Sequence, residues 1–504
     1  MSTQKPSNPK REAGILMMVG MGVRITSQSM TLALLLVAGR FLDAELFGVF
    51  VLASIVMNFA IVQMYTGVYH YVLKQPDFEA SEGTAFSLQL MTGAFYGVVI
   101  LAAAGIAWAV GGDGLLVQLM AATALVPLII TVSSWQEAIL LRRGEVKYYY
   151  GALLLAEVAG FCVALTMLMN GAGVWSLIVN RYCSAVGISL LLSFRSGRLP
   201  RLAFHREHAS AIFRYSAGLY GNSALSFFSG SGAEIILGSF LSARAVGLFR
   251  MGARTSTAAY DIFAQTFRVL TWQAVGRMAR EERLTPTLWT RLIAINLCIM
   301  TFVLGSLSLL ATELTILLLG EKWLGMVPVL QVFCWLKVLN SVDMIASAQL
   351  AAAGYSKFLV RARSLEAGLT LVVLLASVQF GMMAVAYSLF IPAAIYISII
   401  LWKLMRLTEA SVGRLIMTVA PGLLLSGGSL AVVYAVSRAL SVDSGLIVIL
   451  LTAVAGSGAY LAIAFGPLRA WTLKTLQTVS VAILPAQDSG ERHSSGQEAS
   501  SVSS

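Results

Sequence analysis

The sequence predicts an all-α integral membrane fold of about 14 transmembrane helices, and three observations predict it. Only 12% of the residues are charged while 58% are hydrophobic; soluble domains carry about 25% charged residues and 45–50% apolar ones. The apolar residues fall in continuous blocks of about 20 or more, the length that crosses a hydrocarbon core of about 30 Å at 1.5 Å rise per residue. The basic residues gather in alternate connections between the blocks, as orientation signals do. An outer-membrane barrel would instead alternate in segments of about 10 residues.

The blocks run, in order, over residues 14–39, 46–72, 85–110, 115–141, 148–169, 173–194 and 211–240. They continue over 246–274, 289–318, 325–352, 359–379, 382–402, 415–437 and 444–468. Several exceed what one perpendicular crossing needs, which implies tilt or extension past the bilayer. Pro127, Pro328, Pro392 and Pro421 fall within blocks and are candidate kinks. Residues 1–13 are polar and basic, and the first block is too long for the apolar region of a cleaved signal.

Counting Lys and Arg in the connections sets the orientation. With the N-terminus inside, the inner connections and tails carry 24 and the outer loops carry 4: Arg40, Arg244, Lys322 and Arg438. Both termini are therefore expected in the cytoplasm of a multi-pass inner-membrane protein. The expected organisation is a cytoplasmic tail (1–13), an N-terminal bundle of helices 1–6 (14–194) and a basic cytoplasmic linker (195–210). A second bundle of helices 7–12 (211–402), helices 13 and 14 (403–470) and a tail (471–504) follow. From about 485 the tail is rich in Ser, Gly, Glu and Gln, a composition that cannot bury enough apolar surface to fold.

An internal repeat refines the architecture. Residues 39–50 read GRFLDAELFGVF and residues 238–249 read GSFLSARAVGLF, identical at six of twelve positions without a gap. Each stretch joins two blocks on the outer side, and six helices separate them. An even repeat unit makes the two halves parallel, related by a pseudo-two-fold axis along the membrane normal.

GRFLDAELFGVF in the first outer loop and LLLGEKWLG (Leu317–Gly325) after the ninth block resemble the polysaccharide transporter family with its Wzx-type flippases. That family sits in the multidrug/oligosaccharidyl-lipid/polysaccharide (MOP) superfamily, and the match in helix number, repeat and loop placement extends over nearly the whole chain. The resemblance implies a MATE-like fold with a central cavity open alternately to each side. It also implies export of an undecaprenyl-diphosphate-linked oligosaccharide, alongside the polysaccharide polymerase and export machinery.

A charge inside a membrane helix costs at least about 2.5–3.5 kcal/mol, so such residues face a cavity or a partner. The eighth block is the strongest signal. Arg250, Arg254, Thr257, Asp261, Gln265, Arg268 and Trp272 recur mostly at steps of three or four, which places them on one helix face within about 80° of arc. From Arg250 to Arg268 that stripe is about 27 Å long. It either lines a water-filled, net-positive cavity suited to a diphosphate or locks the two bundles by ion pairs; Arg250, near the outer end, can also snorkel. Arg24 in the first block, with Ser27 and Gln28 beside it, is a candidate headgroup ligand, or else the ion-pair partner of Glu234 or Asp261. Glu234, Asp261 and Asp343 are candidates for ion coupling. Lys337, Asn340, Ser341 and Asp343 form a polar girdle in the tenth block that serves lining or packing equally well. Arg181 and Arg214 read as cytoplasmic-side charges.

Other classes are disfavoured. The net charge of +11 is spread over helix ends and not gathered on a nucleic-acid face. The four cysteines lie inside apolar blocks without metal spacing, and no metal or cofactor is expected. Asp43 and Glu45 resemble the acidic pair of lipid-phosphate glycosyltransferases, but Asp43 can cap the second helix and Glu45 favours its first turn. In the repeat, Ser242 and Arg244 stand at these places, so only the cap survives. No phosphate loop or nucleophile elbow is present in a suitable context, and the chain is not read as an enzyme. A cation-coupled multidrug antiporter and a lipid II flippase are the competing transport readings. The former would want an acidic, aromatic cavity.

Overall fold

The computed structural model describes residues 9–76, 78–197, 199–280, 286–439 and 445–483. Those residues are built from helices, as the continuous apolar blocks require in a solvent that offers no hydrogen bonds to an open backbone. The cytoplasmic tail expected to be disordered from about 485 lies outside the described residues, as do the side chains of Arg24 and Trp272.

The chain begins with α1 (Pro9–Phe41), α2 (Ala44–Met64), α3 (Gly67–Lys74), α4 (Glu82–Ala109), α5 (Gly114–Ala122) and α6 (Val126–Arg142). There follow α7 (Val146–Met169), α8 (Trp175–Ser196), α9 (Arg206–Phe240), α10 (Ala243–Arg280), α11 (Pro286–Leu309) and α12 (Ala311–Leu318). After a 3₁₀ segment (Glu321–Met326) come α13 (Val327–Ala352), α14 (Ser356–Ser377), α15 (Met382–Ser388), α16 (Phe390–Thr408), α17 (Val412–Ala439), α18 (Gly445–Phe465) and α19 (Arg469–Ile483). Among the described residues, ten helical segments are long and apolar enough to cross a membrane. Four helices that correspond to apolar blocks fall outside those ten: α1, α9, α10 and α14. Each of the four carries charges within its length, as do α7 at Glu157, α8 at Arg181 and α13 at Lys337 and Asp343.

Single blocks break into two helices at identifiable places. The 46–72 block is interrupted between α2 and α3, where Gly67 takes φ +36° and Tyr220 presses on its α-carbon. A side chain at Gly67 would be both strained and without room. The carbonyl of Met64 freed by the break accepts from Gln89 Nε2 at 2.8 Å, so no buried acceptor is orphaned. The 115–141 block breaks between α5 and α6, where Pro127 stands at the start of α6 and the Tyr182 hydroxyl donates to the Ala122 carbonyl. Pro328 and Pro392 likewise fall in the first turn of α13 and α16, where a missing N–H costs nothing. They start helices and do not kink them. Pro421 alone of the four candidates is inside a helix, α17.

The described helices gather into two compact units. The first comprises residues up to 262 with 307–336 and 363–394, the second 263–306 with 337–362 and 395 onward. In the first unit, small residues let helices approach closely, the packing that works where lipid removes any hydrophobic drive. A Cβ on Gly160 of α7 would stand 2.5 Å from Ser184 Oγ of α8, and one on Gly187 of α8 would stand 3.4 Å from Ala156 Cβ. Trp135 of α6 packs on Phe86 of α4, ring centroids 5.2 Å apart. In the second unit, Trp289 is fully buried among Ile345, Ile400 and Leu404. Its indole N–H donates to Thr408 Oγ1 at 3.2 Å, so the polar tip of a large core residue is satisfied.

The two repeat segments meet in the first unit. Asp43 caps α2, its carboxylate accepting from the Leu46 N–H at 2.8 Å, and Ser242 caps α10 through Ala245 N–H at 3.2 Å. Each is the cap expected from sequence. A Cβ on Gly48 would overlap the Ala243 carbonyl, and one on Gly247 would overlap the Ala44 carbonyl. Since 44 and 48 correspond to 243 and 247 in the repeat, the contact is reciprocal, as a local two-fold relation between parallel helix starts requires.

Candidate functional site

The first unit encloses a cavity of about 400 Å³ walled by α1, α2, α7, α8, α9 and α10. Its walls follow helical spacing. On α1 the lining residues are Ser27, Gln28, Thr31 and Leu35; on α2 they are Phe47, Phe50, Val51, Ser54, Ile55 and Asn58. Both sets recur at three and four residues, so one face of each helix is turned inward. A smaller alcove of about 130 Å³, lined by Asn180 and Ser184 of α8, shares Ser27, Glu157 and Arg181 with it.

The charges set the cavity's chemistry. Three guanidinium groups line it, from Arg181, Arg250 and Arg254, against two carboxylates, Glu157 and Glu234. Arg250 holds Glu234 in an ion pair at 2.6 Å, with the Glu234 side chain 8% exposed and that of Arg250 40%. Arg254 donates to Gln28 Oε1 at 2.6 Å, which ties α10 to α1. Ser27 donates to Glu157 Oε1 at 2.8 Å, and Glu157 Oε2 has no hydrogen-bond partner. Neutralising Glu234 uses one of the three cations. Two remain against one carboxylate, in a space whose other walls mix apolar side chains with Ser, Thr, Gln and Asn. A multiply charged anion with paired oxygen acceptors matches that arrangement, because each guanidinium presents several donors in a fixed plane.

The structure places the sequence candidates unevenly. Gln28, Glu234, Arg250 and Arg254 come together in this cavity. Glu234 is paired with Arg250, a partner the sequence reading did not assign to it. Arg24 sits on α1 one turn before Gln28, and its side chain lies outside the described residues. The stripe on α10 does not continue as a lining: Asp261 is half-buried but is not among the cavity's walls. Gln265 and Arg268 belong to the second unit, Arg268 exposed there. Lys337 and Asp343 of α13 are also in the second unit. Asp343 accepts from Tyr396 Oη at 2.9 Å and from Ser347 Oγ.

Two wall residues escaped the sequence reading. Arg181 read as a cytoplasmic-side charge, but α8 starts at Trp175, so Arg181 is about 9 Å along the axis from that end. Arg195, the basic residue of the other end, is in the last turn. Glu157 stands mid-way along α7 with apolar neighbours on either side. A lone carboxylate at that depth is itself a signal of a functional position, and its partner Ser27 is 130 residues away.

The all-helical multi-span fold is shared with solved membrane transporters, as a likeness of fold. The chain superposes on a lipid II flippase MurJ in an inward closed conformation with TM-score 0.72, covering 90% of this chain and 99% of that one at 13% identity. A multidrug resistance MATE family transporter of the MOP superfamily, inward-facing, gives 0.56 over 76% of this chain and 95% of that one at 19% identity. The polysaccharide biosynthesis protein family profile matches residues 37–328, more than half of the 504 residues, and the chain belongs to that family. The succinoglycan biosynthesis transport protein ExoT of Rhizobium meliloti is 23% identical over 180 residues, 35% of this chain. The alignment spans 36% of the ExoT length.

Proposed function

We propose that the protein is a flippase that moves a lipid-linked oligosaccharide, carried on undecaprenyl diphosphate, across the bacterial inner membrane by alternating access. The observation that carries this reading is the cavity itself: Arg181, Arg250 and Arg254 against Glu157 and Glu234, within a fold of transporters. The diphosphate takes the free donors of Arg181 and Arg254, and the isoprenoid tail stays in lipid. Phe47, Phe50, Asn58 and Ser54 give the remaining wall an apolar and hydrogen-bonding character suited to a sugar ring. The family and the ExoT likeness support a polysaccharide repeat unit over the lipid II of the MurJ relative, whose similarity is one of fold. The net positive wall disfavours organic cations, which an antiporter of drugs would carry.

The topology belongs to the same proposal. The ten apolar segments together with α1, α9, α10 and α14 make fourteen spans, arranged as two parallel six-helix bundles with α17 and α18 added. Both termini are cytoplasmic, by the distribution of Lys and Arg. Internal charge on α1, α9 and α10 is tolerated in part because Gln28, Glu234, Arg250 and Arg254 line the cavity. Membrane lipids, a polysaccharide polymerase and export machinery are the partners of that role.

The test is deletion of the gene followed by analysis of surface polysaccharide and lipid-linked intermediates. Loss of polymer with intact diphosphate-linked repeat units retained on the inner leaflet is the expected result. Unchanged polysaccharide with raised sensitivity to cationic drugs would move the protein to the antiporter reading.

A further inference from the structure

We propose that the two motif segments form the outer gate of the cavity, with Gly48 and Gly247 as its seam and Arg40, Lys322 and Trp323 as its latch. This rests on the flippase reading and on the orientation given above.

The seam is a contact of backbones. Gly48 lies against the Ala243 carbonyl and Gly247 against the Ala44 carbonyl, closer than any Cβ permits. Phe47 beside the seam, and Phe50 and Val51 of α2 and Arg250 of α10 within a turn beyond it, already line the cavity. The seam therefore shuts the end of the cavity where α2 and α10 begin. The latch joins the first motif to LLLGEKWLG. Arg40 Nε donates to the Leu318 carbonyl at 2.7 Å, and its guanidinium also reaches the Leu317 carbonyl. Lys322 Nζ donates to the Arg40 carbonyl at 2.8 Å. Trp323, fully buried, donates to the Gly39 carbonyl at 2.8 Å and sets its ring edge-on to Phe47, centroids 5.8 Å apart. Phe47 is thus both a wall of the cavity and the seat of the latch.

The bonding suits a contact that parts. The carbonyls of Ala44 and Ala243 serve the first turns of their own helices, so separating the seam orphans no acceptor there. Close glycine packing contributes van der Waals and Cα–H···O contact only, individually weak terms. Arg40 and Lys322 are exposed, so water replaces their carbonyl partners when the latch opens. Trp323 alone gives up a buried hydrogen bond.

The test places a cysteine at Asn58, a cavity wall, and labels it in right-side-out vesicles with a membrane-impermeant maleimide, read at that position by peptide mass spectrometry. The expected result is low labelling with the native gate. Labelling rises several-fold when Gly48→Val or Gly247→Val props the seam open, and when Arg40→Ala or Trp323→Phe loosens the latch. The latch variants add no volume and keep the test valid if the valine proteins fail to fold. Unchanged labelling of Asn58→Cys in membrane-inserted Arg40→Ala and Trp323→Phe proteins would overturn the gate. Failure of the flippase reading is separate: labelling would respond as stated while the deletion strain kept normal polysaccharide and intermediates.

Discussion

Arg250 and Arg181 illustrate how two residues of one type in one cavity do different work. Arg250 neutralises a carboxylate that is 8% exposed, so its loss strands a charge. Removing one member of a fully buried pair costs about 3–5 kcal/mol; with Arg250 itself 40% exposed, a loss of about 1–3 kcal/mol is expected for Arg250→Ala. Glu234→Gln added to it should restore most of the stability, which thermal unfolding of the detergent-solubilised proteins will read. Arg181 has neither a hydrogen bond nor an ion pair among the described residues. Arg181 does share its cavity with the Glu157 carboxylate, so Arg181→Ala should lower the unfolding temperature less than Arg250→Ala does, and abolish export. Arg254→Ala should also stop export while inserting normally, because its Gln28 contact is a single charge-assisted hydrogen bond worth about 1.5–3 kcal/mol. Normal polysaccharide from Arg181→Ala and Arg254→Ala strains would remove these side chains from the binding role.

At the scale of elements, breaks and caps do more than the lengths of the helices. The α2–α3 break depends on Gly67 at φ +36° with Tyr220 against it. Gly67→Ala should be strongly destabilising, whereas Gly218→Ala, in open space on α9, should be neutral or slightly stabilising since alanine favours helix by about 1 kcal/mol. A paired comparison of membrane abundance and unfolding temperature reads the difference. Asp43→Ala removes the α2 cap and should cost about 1 kcal/mol; Asp43→Ser or Asp43→Asn should retain most of that. Retained transport in the Asp43→Asn protein would also speak against an acidic catalytic role at this position, since an amide caps but takes up no proton.

For the whole molecule, the cavity predicts a ligand effect that does not depend on a transport assay. An anion that binds only the folded protein stabilises it by about 2.7 kcal/mol at a hundredfold excess over its dissociation constant. Undecaprenyl diphosphate or a glycosylated form of it should raise the unfolding temperature. Arg181→Ala should lose most of that shift, and a cationic amphiphile should produce none. A shift of equal size in the Arg181→Ala protein would place the anion elsewhere.

Much of this was readable from the chain alone because bilayer physics is one-dimensional. Length and apolarity locate membrane helices without knowledge of any neighbour. The caps at Asp43 and Ser242 and the repeat that carries them are likewise local, as is the inward face of α10 at Arg250 and Arg254. Whether a charge faces the cavity is not local. Asp261, Gln265 and Arg268 share the periodicity of Arg250 and Arg254, yet the walls end at Arg254, because periodicity names a face of a helix and not how far along it a neighbour stands away. Arg181 and Glu157 carry no pattern of their own and become cavity residues only when α7 and α8 pack beside α1. The pair between Glu234 and Arg250, and the meeting of Gly48 with Gly247 across 199 positions of sequence, arise only in the folded protein for the same reason: contact distance between helices is a property of packing, and spacing along a chain does not contain it.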